Sequence, residues 1–324
     1  MTIETTQALA IIADIEMETA FGNAAKTVAA MTARDNAFRR HPTFIGQDGR
    51  PFQAAYVEAL GATPQLSARL AGLLVPVLTR LLARNPGPHA LVLALPTALQ
   101  SLSLQSERFF ERMRGAGLDG IGEVFLHFGE NCTGFYALET LPDVFAKSGS
   151  VIWAGVDSRV SADRIDLDPM LRPSLGQGSP YAPVPGEAAA ACLLRPMTAK
   201  TGLGVLSRPV CGSEPHHADT GIRPPLGTGL AQAIRSVQPM ISTCSGLISD
   251  MNSERFRAEE FGVAAPLIAR DLRDRVLCPA LSLGDLGAAY PVLSAGLVCG
   301  NLKGSCLILA SEPAARRAIA FVSS

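Results

Sequence analysis

The stretch GENCTGFYALETLPDVFAKSGSVIWAGVD, from Gly129 to Asp157, decides the fold of this chain of 324 residues. Small and polar residues open it, and an apolar helical segment, FYALETLPDVFA, a hydrophilic turn, KSGS, and an apolar strand, VIWAG, follow. Cys132 lies where a preceding strand would end and this helix would begin. Unpaired backbone N–H groups at the start of a helix favour a thiolate over a thiol. The stretch therefore predicts a cysteine at the N-terminus of a buried helix.

The composition is that of a compact protein with a large core. Hydrophobic residues make up 48% of the chain and charged residues 18%, and the net charge is −1. Such a balance provides no positive field for nucleic acid or for an anionic membrane, so neither is expected as a partner. No apolar run approaches the roughly 20 residues that span a bilayer, and the N-terminus does not read as a signal peptide. We expect a cytoplasmic protein.

The seven cysteines form no CxxC pair and no zinc-type spacing with histidine. Most lie in apolar runs, which is typical of buried, reduced thiols. His216 and His217, with Glu214 and Asp219 nearby, are the most metal-like group, but adjacent histidines without a third ligand at helical spacing favour an ordinary loop. We expect neither a metal nor a cofactor.

Apolar strands alternate with helices along the whole chain. The pattern predicts a strand at Ala8–Ile15, then a helix capped by Asn23. A long helix at Leu66–Leu82 should be kinked or broken by Pro76. Buried strands are predicted at 90–95 and 121–129. This alternation is typical of an α/β protein with mixed sheets between helix layers.

A connection rich in Gly, Pro and Ser, from Pro173 to Gly186, is the best candidate for the join between two halves. The predicted division is an N-terminal half at 1–172, the connection at 173–186 and a C-terminal half at 187–324. In the second half, MISTCSG is predicted as a short strand that runs into a turn. SCLILAS and RAIAFVS are predicted as a terminal antiparallel pair.

Four motifs carry a family resemblance. VPGEAAAACLL at Val184–Leu194, GDLGAA at Gly284–Ala289, the elbow at Cys132–Gly155 and the helix start FGNAAKTVAAM from Phe21 resemble segments of the β-ketoacyl synthases, within the thiolase-like fold. The resemblance covers most of the chain. It implies two similar βαβαβ halves in alternating α/β/α/β/α layers.

In that family a cysteine is acylated, and two histidines, or a histidine and an asparagine, assist decarboxylation of the second substrate. The resemblance places Cys132 at the nucleophile position, or Asn131 if the alignment gap falls elsewhere. It places Ser245, or Cys244, at the first histidine and Asp285 at the second. Neither position therefore holds a histidine.

The losses argue against condensation. A charged Asp285 would oppose a developing enolate, and Ser245 does not titrate near neutral pH. Asp285 could be an acid paired with Cys132, but the pattern favours an N-cap of the following helix. A carboxylate such as Glu130 or Asp285 would raise the thiol pKa of Cys132. The loop SEPAARR (residues 311–317), which matches a glycine-rich loop of the family, contains no glycine.

Two functions remain open at this point. The first is a ketosynthase-like protein with a degenerate active site that serves as a non-catalytic accessory, adaptor or scaffold protein, with a link to type VI secretion effectors suggested by the resemblance. The alternative is an acyltransferase or thioesterase that forms an acyl-enzyme on Cys132, with Ser245 and Asp285 in an altered relay. An elbow plugged by Phe135 or Tyr136 would favour the first, and an open acyl channel the second.

The resemblance also implies partners. A homodimer is expected through the central strands and the segment before the elbow helix, or a heterodimer with a related synthase. An acyl carrier protein or an effector protein is the expected further partner.

His127 lies near Cys132 in sequence, but its place within an apolar strand favours a core histidine over a catalytic dyad.

Overall fold

The computed structural model describes residues 8–45, 49–61, 63–167, 182–216 and 226–324, without the side chains of 166 and 167. Its strands are β1 (Ala8–Thr19), β2 (Gly22–Asn23), β3 (Arg39–Ile45), β4 (Pro51–Ala54), β5 (His89–Pro96), β6 (Ile121–Gly129), β7 (Val151–Ser158), β8 (Glu187–Arg195), β9 (Gly204–Ser207), β10 (Val210–Ser213), β11 (Gly246–Ser249), β12 (Val276–Leu277), β13 (Ser305–Ser311) and β14 (Arg316–Ser323). Its α-helices are α1 (Ala24–Ala33), α2 (Leu66–Arg84), α3 (Thr97–Ser101), α4 (Ser103–Gly115), α5 (Thr133–Ala137), α6 (Leu141–Lys147), α7 (Ala162–Leu167), α8 (Thr228–Ser236), α9 (Gln238–Ile241), α10 (Arg255–Ala264), α11 (Arg270–Arg273), α12 (Ala280–Leu283) and α13 (Tyr290–Asn301).

Two sets of five strands repeat one topology. The first set has the order β6-β5-β7-β8-β1, and the second has the order β12-β11-β13-β14-β9. In each set the fourth strand, β8 or β14, is antiparallel to both of its neighbours, while the other paired neighbours run parallel. The antiparallel pair β1–β9 joins the two sets. The expectation of two similar halves is therefore confirmed.

The helices form layers on both sides of each set. α13 contacts β1, β7 and β8 of the first set and β13 and β14 of the second, and α1 and α5 lie beside it. α2 covers the outer face of the first set, and α8 and α10 cover that of the second. The alternating α/β/α/β/α arrangement is what amphipathic sheets require, because each apolar face is buried against a helix layer.

Several elements form as their sequences predict. Asn23 caps α1, since its Oδ1 accepts from the Lys26 N–H at 3.2 Å. β5 is buried throughout, as its apolar run requires. β13 and β14 form the predicted antiparallel pair.

Pro76 does not break α2, which continues from Leu66 to Arg84. Among the described residues α2 is the one helix long and apolar enough to cross a membrane, with a mean hydropathy of 1.5. This is weak evidence for a span, because its buried side packs on β1, β7 and β8 as a core helix does.

Two further expectations need correction, and the domain division stays untested. β6 was expected to be a buried strand, but it is the edge of the first set, and Val124 and Leu126 on it are exposed. MISTCSG is not a strand, because Met240 and Ile241 end the helix α9 and β11 begins only at Gly246. β8 follows the predicted connection in sequence, yet it pairs with β1 and β7, so by pairing it belongs to the first set. The division at 173–186 stays a prediction, since residues 168–181 lie outside the described part of the chain.

Candidate functional site

The candidate site lies where the chain leaves β6 and enters α5. Cys132 immediately precedes α5 in ordinary right-handed backbone geometry, with φ −88° and ψ −18°. The helix is fixed on β7, because the indole Nε1–H of Trp153 donates to the Gly134 carbonyl at 3.0 Å. The ring of Phe135 lies 6.2 Å from that of Trp153. The predicted cysteine at the start of a buried helix is therefore present.

The thiol and the amide of Cys132 both have partners within the protein. Its Sγ donates to the Arg316 carbonyl at 3.3 Å, and its backbone N–H donates to Glu312 Oε1 at 3.0 Å. The Glu130 N–H and the Thr133 hydroxyl donate to the same oxygen, at 3.0 and 3.2 Å. One carboxylate oxygen therefore takes three donors around the cysteine.

Burial and charge work against a thiolate at this point. Cys132 is 0% exposed. Burial raises the pKa of its thiol well above the ordinary value, and the carboxylates of Glu312 and Asp250 raise it further, against the opposing effect of Arg317 and Arg257. Glu130 and Asp285, which we expected to have this effect, are not its main causes. Burial also raises the pKa of Glu312, although Arg316 and the donated N–H groups oppose the rise. The thiol of Cys132 is thus held in its protonated form.

Arg257 of α10 holds a buried ionic cluster beside the elbow. Its guanidinium pairs with Asp250 at the end of β11 and with Glu254 Oε2 at 2.8 Å, and it also donates to the Ser311 carbonyl. Its Nη2 donates to Asn131 Oδ1 at 3.2 Å. The side chain of Asn131 is therefore occupied by Arg257, and the thiol at the elbow belongs to the next residue, Cys132.

Asp285 lies in the same region and is 2% exposed. Its Oδ2 is 3.2 Å from Arg159 Nε and accepts from Asn252 Nδ2 at 3.1 Å. Its Oδ1 accepts from the Gly287 N–H at 3.2 Å. The expected N-cap is not formed, since the cap position before residues 287–289 is Leu286. Burial acts to raise the pKa of Asp285, but Arg159 and Arg257 outweigh it and hold that pKa below its ordinary value. Asp285 is therefore an ion-paired carboxylate and a poor proton donor.

The structure does not bring Ser245 to this site. Its hydroxyl donates to the carbonyls of Lys303, at 2.8 Å, and Ser305, at 3.3 Å, next to the amino end of β13. The cysteine lies near the other end, where Ser311 closes β13, roughly 20 Å away along seven residues of strand. The residue that follows β11 beside the elbow is Asp250, which pairs with Arg257. The assignment of Ser245 or Cys244 to the first histidine position stays a prediction.

Sequence reasoning missed Glu312, Asp250 and Arg257. The loop that carries Glu312 contains no glycine where the family has a glycine-rich loop. This difference is the signal in the sequence that the loop has a changed role. Asp250 was missed because β11 was placed too early in the chain. Arg257 lies in a stretch that reads only as an amphipathic helix and belongs to no motif.

The remaining candidates have structural roles. Tyr136 donates to the Gly212 carbonyl at 2.9 Å, and the Arg316 guanidinium lies 5.2 Å from its ring. Phe135 is 0% exposed, and its ring lies beside that of Trp153. A plug of the elbow by Phe135 or Tyr136 stays a prediction. Glu214 accepts from the Gly229 N–H at 2.8 Å and caps α8, while His217 and Asp219 lie outside the described residues.

Burial and Arg316 lower the pKa of His127, and in the described part of the chain no histidine is hydrogen-bonded to Cys132.

Comparisons with known proteins identify the fold. No protein-family model matches the sequence, and no curated protein matches it. Solved structures do match. The ishigamide ketosynthase/chain length factor has a TM-score of 0.66 and 17% identity, over 97% of this chain and 99% of that chain. A β-ketoacyl synthase from Burkholderia phymatum STM815 has a TM-score of 0.70 and 13% identity, over 98% and 100%.

A third structure contains a type II polyketide acyl-carrier protein in complex with its ketosynthase. It matches with a TM-score of 0.61 and 10% identity, over 98% of this chain and 99% of that chain. At these identities the similarity concerns the backbone, and the expected resemblance is confirmed at that level. The chain has the thiolase-like fold of the ketosynthases.

Proposed function

We propose that this chain is a non-catalytic, ketosynthase-like accessory protein that works by binding other proteins. The observation that carries the proposal is the state of Cys132, whose thiol is buried and whose backbone N–H is taken by Glu312. An acylating cysteine needs a thiolate that can reach the thioester, and it needs free donors for the developing oxyanion. Cys132 has neither in this arrangement.

The buried carboxylates beside the elbow support the same proposal. Asp285 is ion-paired to Arg159, and the residue that follows β11 is Asp250, which is ion-paired to Arg257. Each carboxylate is an acceptor already paired with an arginine, so neither offers the hydrogen-bond donor that an enolate requires. Decarboxylative condensation is therefore not expected.

The alternative function, an acyltransferase or thioesterase, lacks its proposed relay. Ser245 lies apart from Cys132 and Asp285, and the hydroxyl of Ser245 is bound to two main-chain carbonyls. An acyl-enzyme on Cys132 would then need another base.

Intact-mass analysis decides between the two functions. The native chain and Cys132→Ala are incubated with a panel of acyl-CoA and acyl-carrier thioesters. We expect no adduct on either protein. A mass gain on the native chain that is absent from Cys132→Ala would overturn the accessory role and establish an acyl-enzyme.

The edge strand β6 supports a dimer as part of this function. No strand in the described part of the chain pairs with its outer side. Val124 is 46% exposed and Leu126 is 39% exposed, and both line a cavity of about 490 Å³ between β6 and α4. An unprotected apolar edge is a template for pairing with another strand. We therefore propose that β6 pairs with β6 of a second copy across a two-fold axis.

The dimer is tested by measuring molar mass in solution. Leu126→Lys should convert a dimer to a monomer, because it places a charge in the proposed interface. Leu281→Lys is the matched control, since Leu281 is 61% exposed and lies on α12, outside β6 and α4. A dimer that survives Leu126→Lys, or a native monomer that dimerises only with a related synthase, would overturn the homodimer.

An acyl carrier protein remains the proposed further partner, because one of the matched structures contains such a complex. It is tested by calorimetric titration of the native dimer with an acyl carrier protein. The link to type VI secretion effectors and the cytoplasmic location stay predictions.

A further inference from the structure

Glu312 lies in the loop between β13 and β14, and hydrogen bonds within this loop hold its side chain at the elbow. The loop closes between β13 and β14, where the Glu312 N–H donates to the Arg316 carbonyl at 3.1 Å. Arg317 donates to three carbonyls of the loop, those of residues 312, 314 and 316, at 2.8, 2.6 and 2.7 Å. Arg317 is itself paired with Glu260 and is 0% exposed. The position of the Glu312 carboxylate is therefore fixed by the fold.

We propose that Glu312 inhibits Cys132 from within the chain. Its carboxylate occupies the hydrogen-bond donors around Cys132 and so prevents the thiol from accepting an acyl group. This inference rests on the proposed non-catalytic function and names the residue that imposes it. Glu130 N–H, Cys132 N–H and the Thr133 hydroxyl all point at one Glu312 oxygen, with donor–oxygen distances of 3.0, 3.0 and 3.2 Å. Convergent donors around one oxygen are the arrangement that stabilises the oxyanion of a tetrahedral intermediate.

The reaction that Glu312 blocks is thiol–thioester exchange. The Cys132 Sγ would form a bond to the thioester carbonyl carbon, and the bond from that carbon to the carrier sulfur would break. The carrier thiolate would take up the proton that Cys132 loses, so the step needs no further reactant. With Glu312 in place, the carbonyl oxygen finds its donors occupied and a like charge beside it.

The test compares four full-length proteins: native, Glu312→Ala, Glu312→Gln and Glu254→Gln. Glu254 is the matched control, because it is 4% exposed against 3% for Glu312 and pairs with Arg257. Among the described residues no hydrogen bond or ion pair joins it to Cys132. Iodoacetamide at pH 8 measures thiol reactivity, and butyryl-CoA measures acylation by intact mass. Each protein is also made with Cys132→Ala, so that the label can be assigned to Cys132.

We expect Cys132 to be alkylated roughly tenfold faster in Glu312→Ala than in the native chain, because the change removes a carboxylate that raises the thiol pKa and holds the Cys132 N–H. Glu312→Gln should fall between the two, and Glu254→Gln should match the native chain. An acyl adduct on Glu312→Ala alone would support the proposal most directly. Equal, slow labelling of the native chain and Glu312→Ala would overturn the inhibitor and leave the accessory function standing. Ready acylation of the native chain would overturn both.

A second measurement on the native chain does not depend on the variants folding. In protein labelled with ¹⁵N-cysteine, the Cys132 amide signal is assigned by its absence from Cys132→Ala. We expect this signal to titrate with the Glu312 carboxyl, at a midpoint above that of an ordinary glutamate. An amide signal that does not move with pH would show that the carboxylate does not hold the amide, and would overturn the proposal.

Discussion

Arg69 on α2 and Glu187 at the start of β8 form a fully buried ion pair, with Arg69 Nε 2.8 Å from Glu187 Oε2 and Nη2 2.6 Å from Oε1. Both side chains are 0% exposed. The carboxylate also accepts from the Val57 N–H and the Ser158 hydroxyl, each at 2.7 Å. The pair therefore ties the outer helix layer to the ends of two central strands, and the carboxylate oxygens are fully hydrogen-bonded.

Removing one side of this pair should be costly. Arg69→Met leaves the Glu187 carboxylate buried without its cation, and such a loss typically costs about 3–5 kcal/mol of the free energy of unfolding. Urea unfolding followed by circular dichroism measures the change. The control is Arg270→Ala, because the Arg270–Asp274 pair is 87% and 68% exposed and should contribute less than about 0.5 kcal/mol. Similar losses in the two variants would contradict the role of the buried pair.

Gly287 in the GDLGAA segment should not tolerate a side chain. Its φ is +47°, and a Cβ would lie 1.8 Å from Asp157 Oδ2. We expect Gly287→Ala to cost about 3 kcal/mol or more, from backbone strain and displacement of that carboxylate. Gly262 in α10 is the control, because a Cβ there meets nothing within 4 Å and Ala is the better helix former. Thermal unfolding followed by circular dichroism measures both variants, and Gly262→Ala should stabilise the protein by about 0.5–1 kcal/mol.

Trp153 is the single tryptophan, and its indole N–H holds α5 in place. Trp153→Phe leaves the buried Gly134 carbonyl without this donor and also leaves a small cavity, so we expect a loss of about 2–4 kcal/mol. Differential scanning calorimetry measures it. The native emission should be blue-shifted and should move to the red on unfolding, since Trp153 is 0% exposed. Native emission already at the wavelength of free tryptophan would contradict this packing.

The layered fold was predictable because burial leaves a periodic signature in the sequence. β5 and β13 are continuous apolar runs, and both are buried throughout. The same signature misleads at β6, where an apolar run forms an exposed edge. Hydrophobicity indicates that a strand is to be covered, but it does not indicate whether this chain or a second chain covers it.

The site was less predictable because its contacts are remote in sequence. Glu312 meets the Cys132 amide across 180 residues, and Arg257 meets Asn131 across 126. Neither pairing belongs to a local pattern, so only the folded chain brings these groups together. Cys132 itself was found, because the change from strand to helix around it is a local signal.

His41 should give the protein a measurable dependence on acid. The ring is 1% exposed and stacks on Phe44, Nδ1 accepts from the Phe44 N–H at 3.1 Å, and burial and Arg69 lower its pKa to about 4. Between pH 6.5 and 4 the unfolded chain binds a proton on His41 that the folded chain does not bind. The contribution of His41 to the free energy of unfolding is therefore complete above pH 6.5. It falls as the pH drops, by up to about 3 kcal/mol. Burial raises the pKa of Asp157 to about 6 and acts in the opposite direction, but Asp157 is common to the native chain and His41→Gln and cancels in their difference. Urea unfolding from pH 4 to 7 should therefore give a smaller loss in acid for His41→Gln, and identical slopes would show that His41 is not the group responsible.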